Sequence, residues 1–484
     1  MTYALSTLLI TIRDVFLLVW NVTFKTILHL IRTLIPSYRN QITMEPLPPG
    51  NMGWPIIGET IDFLRKSQNG DFFKERYAKY GSIFRTNFLG MNNIHIRDVS
   101  HVKKVLLGEH HLVATCWPPA MRRLLGSGAL ATMLDPDHRQ LRKLVRPYLN
   151  AEVLSSAKDA MVKCVAAELL KWKSAPVIDL YNAAKHLTMK CGCAVLIGEN
   201  GLNDDMIDET SANFITFGDG FFQLPILIPG SKYYQATQAK KSILQTVYKL
   251  HRENTSKASI ISQIYGATED KVLRTQAEKD NFVVELLFGA QETAACTITC
   301  AVTLLEQNPH VFKKLHDEID EFYKDVKQED DNVETWILSK DFRVLGYLTN
   351  IIKETLRLFP PIGGGFRKIL RPFVLGEYWI PKDWTITYSI QCMHEDSDMD
   401  NVTDFIPERW DSITQAAYIS DFLPFGAGPR SCVGRDYALQ FIKLALIMLV
   451  STCRWKLQTK EPTFTRVPIV KPEQPIMVKM MDAK

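Results

Sequence analysis

The sequence predicts a mainly α fold with a small β part, an α+β class. Three observations carry that reading. "VLRTQAEKDNFVVELLFGAQETAACTITCAVTLLEQNP", residues 272–309, is one very long helical pattern. "VLGYLTNIIKETLRLFPP", residues 344–361, is a second apolar helix, stopped by Pro360 and Pro361. Strand-type residues gather in short stretches such as "SIFRTNFLGMNNIHIRDV" (82–99) and "FVLGEYWIPKDWTITYSI" (373–390).

Taken in order, the chain opens on an apolar stretch, residues 1–35, which reads as a membrane-attachment segment. Arg13 and Asp14 break it after about ten residues, short of the roughly 20 that a spanning helix wants. Asp14, Asn21, Lys25 and Arg32 fall on one helical face, so an interfacial amphipathic helix stands beside a spanning anchor. No basic region precedes the run, which argues against a cleaved signal. Residues 36–58 follow as a hinge, stiffened by Pro46, Pro48, Pro49 and Pro55. From residue 59 to 484 no Gly/Ser linker, repeat or long charge block interrupts the chain, so it reads as one large domain.

Within that domain "DFFKERYAKYG" is a helix capped at Gly81, and residues 82–99 form a hairpin turning near Gly90 to Asn93. In the long helical pattern, Phe282–Leu305 is apolar enough to pass for a span. Glu285, Gln291 and Glu292 lie inside it, and charges in a span are costly. A helix through a soluble core is the better reading.

Composition narrows the function. Of 484 residues, 46% are hydrophobic and 23% charged, enough for a large core. A net charge of +4 is small for this length and argues against nucleic-acid binding. The nine cysteines are scattered without a CxxC pair, which excludes zinc ribbons and fits a reducing compartment.

One cysteine stands apart. In "FGAGPRSCVG" (425–434), Cys432 sits among three glycines and an arginine, with a helix starting just beyond it. Such a cysteine can be buried and inert, a nucleophile or a metal ligand. A helix N-terminus lowers a thiol's pKa. Gly426, Gly428 and Gly434 let backbone approach something bulky and flat, and Arg430 can meet a carboxylate bidentately. Thiolate, N–H donors to sulfur and an arginine for a propionate are together what a haem iron site requires.

The spacing Phe425, Gly428, Arg430, Cys432, Gly434 resembles the cysteine-ligand loop of the cytochrome P450 family, the haem-thiolate monooxygenases. The resemblance implies that family's fold, with haem b between a long central helix and the cysteine loop, and Cys432 as axial ligand. It makes further demands. Glu354 and Arg357 in "ETLR" share a helix face; alone they would be a surface pair, but with Arg409 of "FIPERW" they resemble the family's buried structural network. Glu292 and Thr293, after Gly289 and Ala290, resemble its acid–alcohol pair, which delivers protons where dioxygen is reduced. The bland alternative is a threonine bonded back to its own helix. Ala290 stands where glycine is more usual. His138 and Arg142 in "HRQLRKLVR" resemble the family's propionate-binding helix, and Arg367 is a further candidate for the haem carboxylates. Arg139, Lys143 and Arg146 are then left as a basic surface for an acidic electron donor.

"LLGEHHLVATCWPPAMRRLLGSGAL", "FFQLPILIPGSKYYQA" and "KETLRLFPPIGGGFRK" look most like the animal retinoic-acid hydroxylases. That branch implies a long apolar substrate with a carboxylate, lined by Trp117, Phe222, Leu224 and Phe366; for Trp117 and Phe366 plain core packing stays equally open. Two positions depart from it. Gly363 replaces a proline, and His95 replaces an arginine suited to the acid group. The expected activity is therefore hydroxylation of retinoic acid, with sterol or fatty-acid hydroxylation as the alternative. A haem-thiolate isomerase or dehydratase has no use for Glu292 and Thr293, and nor has a lipid or haem carrier. NADPH-cytochrome reductase is the implied electron donor, and the endoplasmic reticulum membrane, with the catalytic domain facing the cytosol, the implied location.

Overall fold

The computed structural model describes residues 45–483, apart from residue 56, residues 68–69, 150–156, 199–202, 254–258 and 267–271, residue 331, and residues 396–399, 412–420 and 467–468. The expected attachment segment 1–35 and the first part of the hinge lie outside the described residues. No described helix is long and apolar enough to cross a membrane.

Helix α1 (Asp71–Tyr80) ends at Gly81, whose φ of 88° lets its N–H reach the Tyr77 carbonyl. The chain then forms the hairpin β1 (Ile83–Phe88) and β2 (Met91–Ile96). Its turn is Leu89–Gly90, both at positive φ, which is the two-residue turn that matches strand twist. The turn comes earlier than the sequence suggests. Asn92 and Asn93 look like turn residues but belong to β2, where Asn92 accepts from the Asn87 amide across the ladder at 2.7 Å.

Strand β3 (Val113–Thr115) precedes α2 (Asp137–Val145), and α3 (Leu180–Leu196) leads to the long α4 (Gln276–Gln307). Thr275 caps α4 through the Glu278 N–H at 3.2 Å, and Glu278 accepts the Thr275 N–H in return. Helix α5 (Gly346–Leu358) stops before Pro360. Strands β4 (Gly364–Ile369) and β5 (Thr385–Ser389) follow, and α6 (Arg435–Thr452) begins three residues past Cys432.

These strands form one sheet in the order β1-β2-β5-β4-β3, with only β2 and β5 parallel. Its register sets His95 opposite Thr387 and Thr387 opposite Phe366, one row on a single face. Helix α4 packs along α3 and crosses α5 and α6, so it runs through the middle of the main hydrophobic core. This is the interior helix that the buried carboxylates foretold, in a mainly α molecule with a small β part.

Candidate active site

Helix α4 and the cysteine loop face each other across a cavity of about 380 Å³. The loop folds back on itself through the Cys432 N–H, which donates to the Phe425 carbonyl at 2.8 Å. Its glycines divide the work. Gly428, at φ 68°, presses on the Leu106 carbonyl, where a Cβ would come within 2.7 Å. Gly426 and Gly434 instead line the cavity, with no atom within 4 Å of a Cβ at Gly434. Only these two serve a flat guest; Gly428 anchors the loop.

Cys432 is exposed, but the surface it shows is the cavity wall. Burial pushes its thiol pKa up, against the downward pull of the Gly434 N–H and the Arg142 charge. The lowering expected from the helix start is present, in the Gly434 N–H, and burial opposes it. Desolvation of the sulfur outweighs one N–H donor and one guanidinium, and a metal's own charge is what removes a coordinating thiol's proton.

The cationic rim of the cavity carries an organiser that the sequence reading missed. Glu109, fully buried, pairs with Arg430 Nε at 3.0 Å and with Arg367 Nε at 2.8 Å, and accepts the Thr115 N–H at 2.9 Å. It therefore aims two guanidinium groups at once. Nothing in its local sequence marks it, because its partners lie 258 and 321 residues away. Arg142 donates to the Ser431 carbonyl at 2.5 Å, and so braces the residue next to the cysteine. Arg430 Nη2 and His138 Nδ1 are buried without a hydrogen-bond partner. Burial beside Arg430 and Arg142 holds His138 neutral, with a pKa of about 3. Unsatisfied buried donors are costly. An anionic, flat, iron-bearing macrocycle would supply what they lack, in a cavity where the glycines leave room and the sulfur has an N–H donor. The residues present fit a haem.

On the opposite wall Gly289, Ala290 and Thr293 line the same cavity. Here α4 is continuous, and Thr293 Oγ1 donates to the Gly289 carbonyl at 2.8 Å, the back-bonded state. Glu292 does not line the cavity. Adjacent helical positions lie about 100° apart, and Glu292 faces α3, where it accepts from the Tyr181 hydroxyl at 2.9 Å. Its burial raises its pKa, opposed by Lys185 and Tyr181. Glu285, two turns earlier, does line the cavity. Burial raises its pKa to about 7, and its carboxylate accepts the N–H groups of Leu130 and Ala131, the latter at 2.7 Å. It ties α4 to the loop that also receives Arg430 at the Leu130 carbonyl.

Behind the loop, Glu354 is wholly buried. It takes Arg357 through two bonds of 2.9 Å, Arg409 Nε at 2.7 Å and Trp410 Nε1 at 3.0 Å. His394 accepts the Leu423 N–H and faces the Arg357 carbonyl, so it is a core histidine joining this cluster to the start of the loop.

A second, aromatic cavity adjoins the first, with Trp117, Ile362, Gly364 and Tyr388 common to both. Phe222, Phe366, Gly363 and His95 line it, and Phe366 sits 5.9 Å from the Trp117 and Phe222 rings. Leu224 is half exposed and lines neither cavity, contrary to expectation; the next residue, Pro225, accepts from Arg123 through its carbonyl at 3.2 Å. His95 is almost completely buried, shares a hydrogen bond with the Tyr77 hydroxyl and stacks on Phe84.

Comparison with known proteins agrees with this arrangement. The cytochrome P450 family model matches residues 48–480. Cytochrome P450 26B1 of Xenopus tropicalis is 33% identical over 447 residues, covering 90% of this chain and 86% of that protein. Cytochrome P450 26A1 of Xenopus laevis is 30% identical, covering 88% of each. Among solved structures, the retinoic-acid-bound cyanobacterial CYP120A1 superposes with a TM-score of 0.81 at 26% identity, covering 90% of this chain and 99% of that one. The chain belongs to the cytochrome P450 family, and is a haem-thiolate monooxygenase served by a redox-partner reductase.

Proposed function

We propose that this monooxygenase hydroxylates retinoic acid, with Cys432 as the thiolate that holds the haem iron. The observation that carries the reading is that the Cys432 cavity adjoins an aromatic channel, with Trp117, Ile362, Gly364 and Tyr388 in the walls of both. Such a channel suits a rigid apolar polyene, and the structural relative CYP120A1 holds retinoic acid. The Gly363 and His95 departures both lie in that channel and leave its aromatic lining in place.

Bound here, the haem supplies reductive activation of dioxygen, which places one oxygen atom in a C–H bond and reduces the other to water. The chain's residues do the rest. Arg142, His138, Arg430 and Arg367 would hold the haem carboxylates, with Phe425 and Gly426 in the cavity wall beside Cys432. Thr293 gives up its bond to Gly289 and turns its hydroxyl into the cavity. Glu292, its pKa raised by burial, swings from Tyr181 to relay a proton to that hydroxyl. Glu354, Arg357 and Arg409 order the cysteine loop. Thr293→Ala is expected to retain haem but to divert electrons to hydrogen peroxide, lowering product per NADPH about tenfold or more. Product-to-NADPH coupling measures this, and unchanged coupling removes Thr293 from the proton path.

Residues 59–484 act as one catalytic domain behind the hinge at 36–58. The exposed cations Arg139, Lys143 and Arg146 on α2 and the turn after it face the donor, NADPH-cytochrome reductase. Residues 1–35 and the exposed Leu224, Ile226, Leu227 and Ile228 attach the protein to the endoplasmic reticulum membrane, the domain facing the cytosol. Optical titration of the haem-loaded protein tests the substrate. Retinoate is expected to shift the iron's spin state at micromolar concentration. A shift from sterols or fatty acids and none from retinoate reassigns the substrate.

A further inference from the structure

We propose that Lys74, which lines the aromatic channel and not the Cys432 cavity, is the receptor for the substrate's carboxylate. This rests on retinoate, or an acid like it, being the substrate. The sequence places His95 where an acid-binding arginine is expected, but His95 cannot take that role. Its ring is 1% exposed, bonded to the Tyr77 hydroxyl and packed between Phe84 and Phe73 at centroid distances of 5.2 and 4.3 Å. In that apolar setting it stays neutral, with a pKa of about 3. A neutral ring offers a carboxylate no charge.

The channel has two other cations in its lining, Lys74 and Arg466. Arg466 is paired with Glu395, which lines the same channel, so the two cancel. Lys74, exposed in the first turn of α1, also lines the channel and has no carboxylate partner among the described residues. A second polar group waits there. Thr387 is 5% exposed, lines the channel, and its Oγ1 has no hydrogen-bond partner. Thr387 lies in the row between His95 and Phe366 on the sheet. The channel lining therefore offers an acid one ammonium without a carboxylate partner and one unpaired hydroxyl, with Phe63, Phe222 and Phe366 for the hydrocarbon.

Lys74 does not line the Cys432 cavity, and Cys432 does not line the channel. Anchoring at Lys74 thus presents the far end of the molecule to the iron. Oxidation falls on carbons remote from the acid group, and shorter acids that cannot span both cavities are poor substrates.

The test is optical titration of the haem-loaded full chain with retinoate and with retinol, which has the same skeleton and no charge. Lys74→Gln is expected to weaken retinoate binding about tenfold, the range of a partly solvated charge-assisted bond, and to leave retinol unchanged. Lys74→Arg restores the preference for the acid, and Lys74→Glu reverses it. If wild type binds retinoate and Lys74→Gln keeps the wild-type preference for acid over alcohol, Lys74 is not the receptor and the substrate assignment stands. A wild type that gives no shift with retinoate overturns both.

Discussion

Cys432→Ser leaves a folded protein whose reduced carbon monoxide complex has lost the thiolate-type Soret band, and whose hydroxylase turnover falls to background. The loss should far exceed the ~10- to 100-fold that removing an outer-shell partner costs a metal site, because the ligand itself goes. Serine preserves the loop, since the bond that folds it is made by the residue 432 backbone N–H to Phe425 rather than by the sulfur. What serine cannot supply is a polarizable anion. Burial already works against a charged sulfur here, by raising the thiol pKa. An alkoxide is far harder to form in the same cavity. Absorption spectra of the purified variant, with and without carbon monoxide, check the prediction, and survival of the thiolate band would assign the iron to another ligand.

Why was so much of this legible before any coordinates? Local spacing fixes what local geometry decides. The cysteine loop needs its glycines and arginine within ten residues, and Glu354 and Arg357 need only one helical turn. Buried charge in an apolar stretch revealed that α4 is a core helix. What stayed hidden depends on residues that meet only in three dimensions. Glu109 reaches Arg430 and Arg367 from far along the chain. Glu285 gives no sign in sequence that it ties down Leu130 and Ala131. His95 stands where an arginine is expected, and only the fold shows it sealed between aromatic rings; Leu224 is expected to line the pocket, and the fold leaves it half exposed. Orientation on a helix is a further limit: neighbouring residues Glu292 and Thr293 face different sides, which a motif read as letters does not convey.

The second large effect is structural. Glu354→Ala removes the carboxylate that pairs with both Arg357 and Arg409, each nearly or wholly buried, and also takes the acceptor from Trp410 Nε1 and the Ile406 N–H. Two stranded cations should cost about 3–5 kcal/mol. The fall would appear as a lower urea midpoint and faster haem loss, because Arg357 also donates to the carbonyls of Val402 and Asp404 on the segment leading to the cysteine loop. The control separates stored charge from lost contact. If the damage comes from uncompensated charge, Glu354→Leu combined with Arg357→Met and Arg409→Met should recover part of the lost stability. It should not recover haem retention, since the carbonyls and Trp410 still lack their partners. A triple variant no more stable than Glu354→Ala would mean that the hydrogen bonds, not the charge balance, hold this corner together.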